Sequence, residues 1–520
     1  MTMPVRTRFA PSPTGYLHIG GLRTALYCYL LAKKTGGKFL LRIEDTDQER
    51  LVEDAVDNLL EVLEWAGINH EEDLVVQSQR LPQYKKAALQ LIETGHAYYC
   101  FCTKSDLDQM RERQVAFNLP PRYDGRCREL SSKDIAEKLE SGAAYVIRQK
   151  IPAAKIVEFK DLIRGKVKFE TKDIDDHVLM KSDGFPTYHL ANVVDDHDMQ
   201  ISHVLRGEEW LPSTPRHLLL YEAFGYEPPN YAHLPLILNK DKSKLSKRHN
   251  DVSTQSYRDK GYLKEALLNF IALLGWNPGD NREIFSMDEL IEAFSVERIN
   301  KSGAVFDVEK LNWFNWQWRR RFFFEDMSIM AKKLDPDVTI SSPKPNHWEY
   351  AFKSNVIEDE FNRYRAAKLL ELATPYLPAN VLKLEASLLE RAMLTIEDKI
   401  LKDPELSFEY ASFYFVDDIE LSPLILNEKL GVDREVAKKI IDETLSGLEF
   451  SGLNSLEEIK AQFMPILQES GLKTGQALWP LRFALSGAEF SPGVFELMWV
   501  IGLDETRKRL NNALDYLRTL

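Results

Sequence analysis

The sequence predicts an α/β protein: a parallel-sheet domain interrupted by an α+β insertion and followed by all-α C-terminal domains. Three observations carry this expectation. A strand, helix and strand pattern opens the chain. The texture changes to short strands and charged turns between about residues 99 and 180, and beyond Leu263 the pattern is almost wholly helical to Leu520.

Val5, Thr7 and Phe9 alternate as a short strand, and Pro11-Ser12-Pro13-Thr14-Gly15 then breaks regular structure. Leu22, Leu26, Tyr29 and Leu30 share one face of a helix that ends near Gly36-Gly37, and Phe39 to Ile43 reads as a buried strand. A strand, crossover helix and strand imply a parallel pair with a right-handed connection. Val52, Val56, Leu59, Leu60 and Leu63 mark the next helix, and Leu89 to Ile92 belong to another. Tyr145 to Arg148 and Lys166 to Phe169 read as strands of the insertion, and the sheet is expected to resume at Val178 to Met180. The expected domains are 1–98 and 181–240 for the two halves of a Rossmann-type domain, 99–180 for the insertion, 241–321, and a helical region 322–520 of two subdomains. Ser341-Ser342-Pro343-Lys344-Pro345 is the clearest linker-like break. No internal repeat is visible.

A chain of 520 residues, 44% of them hydrophobic, is long enough for several cores. No run approaches the ~20 apolar residues of a membrane span. Met1 to Phe9 lacks the apolar core of a secretory signal, so an interior protein is expected, with a processed organellar precursor equally compatible. The net charge of −13 has the wrong sign for a protein that coats itself in nucleic acid, so any RNA contact must be local. The densest basic aromatic stretch is Trp316-Gln317-Trp318-Arg319-Arg320-Arg321. It suits either a phosphate backbone with a stacked base or a solvated helix face with core tryptophans.

Four cysteines exclude a disulfide scaffold, but Cys100, Cys102 and Cys127 are grouped. Three soft ligands suit a structural zinc if Tyr123, Glu129 or His96 supplies a fourth; three plain thiols are the alternative. Cys28 lies in an apolar helical pattern and reads as core.

Two motifs suit phosphate chemistry. Pro11 to Gly21 follows a strand and opens a helix, where free N–H groups and the positive dipole end face an anion. Gly20 and Gly21 allow close backbone approach, and His18 can donate to an α-phosphate oxygen. Lys244-Leu245-Ser246-Lys247-Arg248 is a cationic loop suited to a triphosphate and to departing pyrophosphate. Each motif alone is weak: a glycine-rich turn is common, and a basic loop is usually surface.

In this order the two motifs resemble the paired signatures of class I aminoacyl-tRNA synthetases, with Gly21 replacing the second histidine of the first and Leu245 standing where the second often has methionine. Arg8-Phe9-Ala10-Pro11-Ser12-Pro13-Thr14-Gly15, Arg42-Ile43-Glu44-Asp45-Thr46-Asp47, Lys181 to His197 and Leu205-Arg206-Gly207-Glu208-Glu209-Trp210 are similar to the bacterial and organellar glutamyl-tRNA synthetase family. The likeness is strong over about the first 320 residues and looser beyond, through Leu481 to Gly487.

That resemblance implies ATP-dependent formation of glutamyl adenylate and transfer of glutamate to the 3′ end of tRNA(Glu). A dianionic substrate with one ammonium wants two guanidinium groups and one acid. The positions carried over for glutamate are Arg8, Ala10, Ser12, Glu44, Tyr188, Asn192 and Arg206, with Arg206 the reader of the side-chain carboxylate. For ATP they are His18, Gly20, Gly21, Glu209, Leu236, Lys244, Ser246, Lys247 and Arg248. His18, Lys244 and Lys247 are the expected catalytic groups, Lys247 above all, with Mg2+ accompanying ATP. Asp195-Asp196-His197 is read as pocket support in preference to a metal triad. The resemblance also implies a cytoplasmic monomer without membrane partners, glutamate activation that requires bound tRNA, acceptor-end contact by 99–180 and anticodon contact by the helical region. A truncated relative acting on a modified tRNA base lacks that helical region, and a non-catalytic descendant would not need Arg8, His18, Glu44 and Lys247 together.

Overall fold

The computed structural model describes residues 4–245, 253–344, 347–448 and 455–520. Ser246, Lys247 and Arg248 therefore lie outside the described residues. The chain forms two compact units, Met1–Asn315 and Trp316–Leu520.

The first unit runs β1 (Arg6–Phe9), α1 (Ile19–Lys34), β2 (Lys38–Ile43), α2 (Ala55–Trp65), β3 (Val75–Val76), α3 (Leu81–Glu93), β4 (Ala97–Cys100), α4 (Lys104–Ala116), α5 (Ser132–Glu140) and β5 (Val146–Gln149). It continues with β6 (Ile156–Asp161), β7 (Gly165–Glu170), β8 (Val178–Met180), α6 (Tyr188–Asp198), β9 (His203–Gly207), α7 (Thr214–Phe224) and β10 (Asn230–Leu234). Smaller elements follow: β11 (Ile237–Leu238), α8 (Thr254–Asp259), α9 (Lys264–Ala272), α10 (Met287–Ala293) and β12 (Ala304–Val305).

The main sheet has the order β3-β2-β1-β9-β10-β6-β7 and is parallel apart from β7. Thr7 pairs with Phe39 on one side and with His203 on the other, so chain order reverses between β1 and β9. Ligands bind at such a switch point, beyond the carboxyl ends of the strands. The one short polar residue of β1, Thr7, survives in the interior because it is satisfied there: its hydroxyl donates to the Cys28 carbonyl at 2.8 Å. Leu22, Leu26 and Leu30 of α1 pack inward as expected, and Cys28 is buried with them.

Several expectations change. Residues 166–169, expected inside the insertion, belong to β7, and the hairpin β6–β7 extends the main sheet through β10. Residues 178–180, expected to resume that sheet, instead pair with β5 in a separate antiparallel sheet of order β4-β5-β8. Short strands carry no label of which sheet they join, because both sheets supply the same alternating environment. The linker-like Ser341 to Pro345 also reads differently: β13 (Thr339–Lys344) pairs with β14 (His347–Ala351). The division at 321–322 falls inside one continuous helix, α11 (Val308–Leu334).

The second unit otherwise packs helices, among them Asn355–Ala373, Ala386–Thr395, Arg434–Gly447, Leu456–Glu469 and Thr474–Ser486. Phe361, Leu369, Ile440, Phe463, Leu481, Leu497 and Leu510 lie in one core. The last helical segment, Val494–Thr519, is kinked at Gly502, whose φ of 79° suits a residue without Cβ. Trp318 is buried, and the guanidinium of Arg321 lies 4.9 Å from its ring centroid. Its ring offers no face to a base, which favours the helix-with-core-tryptophan reading at that position. Among the described residues no helix is long and apolar enough to cross a membrane.

The return from α1 to β2 leaves no room at Gly37. A Cβ there would lie 1.9 Å from the Val5 carbonyl oxygen, which accepts the Lys38 N–H at 2.9 Å and begins the β1–β2 ladder. Gly37→Ala is expected to lower unfolding stability by roughly 2–4 kcal/mol in chemical denaturation. An unchanged midpoint would show that the strand end is slack.

Candidate active site

The carboxyl ends of β2, β1, β9 and β10 open into a cleft of about 640 Å³ lined by Arg8, Ala10, Ser12, His18, Gly20, Gly21, Glu44, Tyr188, Arg206, Glu209, Leu236 and Lys244, among others. Thus most of the residues singled out in sequence meet on one surface although more than 200 positions separate the first from the last. Two loop contacts hold its rim: the Glu44 N–H donates to the Pro11 carbonyl at 2.9 Å, and the Val52 N–H to the Pro13 carbonyl at 3.0 Å.

His18 is the N-cap of α1. Its Nδ1 accepts the Gly21 N–H at 3.0 Å, which in the neutral ring puts the hydrogen on Nε2. A Cβ at Gly21 would lie 2.7 Å from Leu17 Cδ1, so the glycine in place of the family's second histidine fits the local packing. Glu209 lies 3.8 Å from the Lys244 ammonium, and a Cβ at Gly207 would overlap its carboxylate. The Leu236 N–H donates to Glu208 Oε1 at 3.0 Å. The chain on either side of residues 246–252 lies at the cleft: Leu245 lines it, and Ser253 forms a bridge with His18.

Beneath this lies a buried charge network. Arg8 donates from Nε to Asp196 at 3.0 Å and from Nη2 to Asn192 Oδ1 at 3.2 Å. Arg42, to which its motif alone assigned no role, donates to Glu44 at 2.9 Å and to Asp196 at 2.6 Å. Asp195 is held by Arg80 at 2.9 Å, Gln77 at 2.8 Å and Tyr84. Burial opposes ionisation of Asp196, but Arg8 and Arg42 outweigh it and hold the carboxyl below its ordinary range. Glu44 goes the other way: burial raises it, and Arg42 and Arg8 only partly offset the rise. Asp195 and Asp196 are thus support for the arginines, and His197 stacks on Tyr226. Asn192 sits behind Arg8, outside the cleft wall, with its Nδ2 buried and without a partner.

Arg206 is different. Nε donates to His233 Nε2 at 3.1 Å, Nη1 to the Tyr188 hydroxyl at 3.0 Å and to His217 Nδ1 at 3.3 Å, and Nη2 to Thr214 Oγ1 at 2.9 Å. Among the described residues it makes no salt bridge, and its guanidinium carbon lies 5.2 Å from the Tyr231 ring centroid. All its ligands are neutral, so a buried cation faces the cleft without a counter-charge. His217, His233 and Thr214 were not found by sequence reasoning; they belong to no short motif, and only the sheet brings them to Arg206.

Cys100, Cys102 and Cys127 place their sulfurs within 4.8 Å of one another, the Cys102–Cys127 separation being 3.5 Å. The Tyr123 hydroxyl lies 3.4 Å from Cys100 Sγ, whereas the Glu129 side chain is 83% exposed and faces Lys150. Hydrogen bonding from Cys127 lowers the Cys100 thiol. This donor set fits a tetrahedral ion with Tyr123 nearest to a fourth position.

Strand order, switch-point cleft, histidine-capped helix and cationic approach define a class I aminoacyl-tRNA synthetase. The description "tRNA synthetases class I (E and Q), catalytic domain" matches residues 4–313, and "Anticodon binding domain" matches 368–514. The glutamate–tRNA ligase of Alkaliphilus metalliredigens is 41% identical, with 99% of each chain covered, and that of Chloroherpeton thalassium is 43% identical over 99% of this chain and 98% of the relative. The crystal structure of the glutamate tRNA ligase of Elizabethkingia meningosepticum in complex with its amino acid superposes with a TM-score of 0.77 at 35% identity, covering 99% of this chain and all of that one. The synthetase of Elizabethkingia anophelis gives 0.76 at 35% identity over 98% of this chain and 99% of that one. The chain belongs to the glutamate–tRNA ligase family.

The imidazoles around Arg206 give a pH test. Burial lowers His189 to about 4, and burial with Arg206 close by lowers His217 and His233 as well. Below 6.5 the unfolded chain takes up protons that the folded rings refuse. Their contribution is complete above 6.5 and is lost as pH falls toward the folded values. Melting temperature should fall steadily from about pH 7 to about pH 5, less steeply in His189→Asn than in the wild type. Parallel profiles would contradict the neutral ring.

Proposed function

We propose that this chain activates L-glutamate with ATP and transfers it to the 3′ end of tRNA(Glu). The observation that carries the reading is Arg206, a buried guanidinium at the cleft with only neutral hydrogen-bond partners. Such a cation favours an anionic side chain, and a carboxylate matches its planar donors. Arg8 takes the α-carboxylate region, Glu44 the α-ammonium, and Tyr188 lies between the two guanidiniums. Ala10 and Ser12 close the wall.

One oxygen of the α-carboxylate attacks the α-phosphorus of ATP, the bond to the bridging oxygen breaks, and pyrophosphate leaves with that electron pair. His18 donates from Nε2 to an α-phosphate oxygen as charge builds there. Lys244 and Lys247 neutralise the departing pyrophosphate, a placement supported by Leu245 and Ser253 at the cleft. Gly20 and Gly21 admit the nucleotide, with Glu209, Leu236, Ser246 and Arg248 around it. Magnesium bound with ATP adds charge neutralisation on the phosphates. A terminal ribose hydroxyl of tRNA then attacks the adenylate carbonyl, the acyl–phosphate bond breaks to release AMP, and the hydroxyl proton passes to a phosphate oxygen of that AMP. No side chain is a covalent nucleophile.

The segment after α4 exposes Phe117 and Leu119 among Arg111, Arg113 and Arg122, a surface suited to unpaired bases and phosphates at the acceptor end. The helical unit supplies the anticodon contact, consistent with its family match. The enzyme is proposed to act as a cytoplasmic monomer with a structural zinc on Cys100, Cys102, Cys127 and Tyr123.

Pyrophosphate exchange should require glutamate, ATP and tRNA together, and should fall by about 10²-fold or more in Lys247→Ala. Full activity in that variant would remove the role given to Lys247; exchange driven by another amino acid would sink the glutamate reading. Metal analysis of the purified protein should find one zinc per chain, lost in Cys127→Ser. A metal-free, fully active protein would leave plain thiols there.

A further inference from the structure

We propose that Asp161 and His233 are a positioning pair that aims Arg206 at the substrate carboxylate. The proposal rests on the glutamate reading above and deepens it. Asp161 ends β6, His233 lies in β10, and both are buried where the two strands pair, Tyr231 opposite Asp161.

The hydrogens along the line from Arg206 Nε through His233 to Asp161 can be placed by elimination. Arginine Nε carries a hydrogen in all accessible states and accepts nothing. His233 Nε2, 3.1 Å from Arg206 Nε, must therefore be the accepting nitrogen. The ring hydrogen then sits on Nδ1, which donates to Asp161 Oδ2 at 2.6 Å. Asp161 is in turn fixed by the chain: Oδ1 accepts the Ile163 N–H at 2.9 Å and the Arg164 N–H at 2.7 Å, and Oδ2 lies 3.2 Å from the His233 N–H. Burial opposes its ionisation, but the His233 contact and these amides outweigh that and keep the carboxyl low. The carboxylate thus selects one tautomer of His233, and that tautomer alone presents a lone pair to Arg206.

The same elimination applies on the other side. His217 Nδ1 faces Arg206 Nη1 at 3.3 Å and must accept, so its Nε2 hydrogen points to His189 Nδ1 at 3.1 Å. Two imidazoles hold Arg206 without cancelling its charge. A carboxylate in either place would do the opposite: it would hold the guanidinium and quench its pull on the substrate.

Asp161→Asn should invert this arrangement. With two backbone N–H groups at the Oδ1 position, the amide oxygen belongs there and the NH₂ group faces His233 Nδ1. The ring hydrogen must then move to Nε2, where it opposes the Arg206 Nε–H and can turn only to Thr214 Oγ1, 3.2 Å away. Steady-state charging should show the glutamate KM raised about 10- to 100-fold, the ATP KM within about twofold of wild type. His233→Gln, whose Oε1 can reach the Nε2 position, should recover much of the glutamate KM, whereas His233→Asn, which cannot, should not. Nitrogen-15 NMR of the imidazoles should show the protonated nitrogen of His233 switching from Nδ1 to Nε2 in Asp161→Asn. An unchanged glutamate KM, a parallel loss for glutamate and ATP, or equal behaviour of the two His233 variants would overturn the pair. A wild-type protein that does not charge tRNA with glutamate would instead overturn the reading on which the pair rests.

Discussion

A buried positive charge with no fixed counter-charge is the constraint around which this protein is arranged. Arg8 and Arg42 share Asp196 in the interior, and Arg42 also holds Glu44. Arg206 makes no such pair among the described residues, and is held by two imidazoles and two hydroxyls. Burying an ion without a partner costs several kcal/mol. Hydrogen bonds satisfy the guanidinium geometrically, and in the proposed reading its charge is left for an incoming carboxylate. On that reading stability is exchanged for selectivity, since a neutral side chain of similar shape cannot supply the missing charge.

The sheet makes this arrangement possible. Parallel strands deliver their carboxyl ends to one edge, so β1 brings Arg8, β2 brings Glu44 and β9 brings Arg206 from distant parts of the sequence. The reversal of strand order between β1 and β9 opens the space between Arg8 and Arg206. Helix α6 crosses behind it, with Tyr188 at the cleft and Asn192, Asp195 and Asp196 in the support beneath. Helix α1 opens on the cleft with its first turn capped by His18, the end proposed to meet the phosphates. In the proposed reading backbone geometry sets amino acid and nucleotide side by side, and the chemistry is chiefly alignment and charge neutralisation.

What could be read in the sequence was whatever is local. The strand, helix and strand start was legible because one crossover unit lies within 43 residues, and the glycine and histidine turn because its chemistry is contiguous. The cleft residues Arg8, Glu44 and Arg206 were legible through a family resemblance, whose words are also contiguous. The assignment of β7 and β8 to their sheets was not, since alternation marks a strand but not its neighbour. Nor were Asp161, His217 and His233, which act only through hydrogen bonds made across the fold. Arg42 was visible in its motif, yet a guanidinium two residues before a carboxylate looks the same on a surface as in a core. The hairpin at 339–351 was hidden by Ser and Pro residues that read as a break.

The central claim is that the two free-standing ends of the substrate are told apart by Arg206 and by Glu44. A crystal structure with glutamate and a non-hydrolysable ATP analogue addresses it directly. The side-chain carboxylate should lie within hydrogen-bond distance of Arg206 and the ammonium on Glu44, with the α-carboxylate turned toward the phosphates above His18. A glutamate bound in the reverse sense, or an Arg206 still enclosed by its neutral partners beside an empty cleft, would contradict the account.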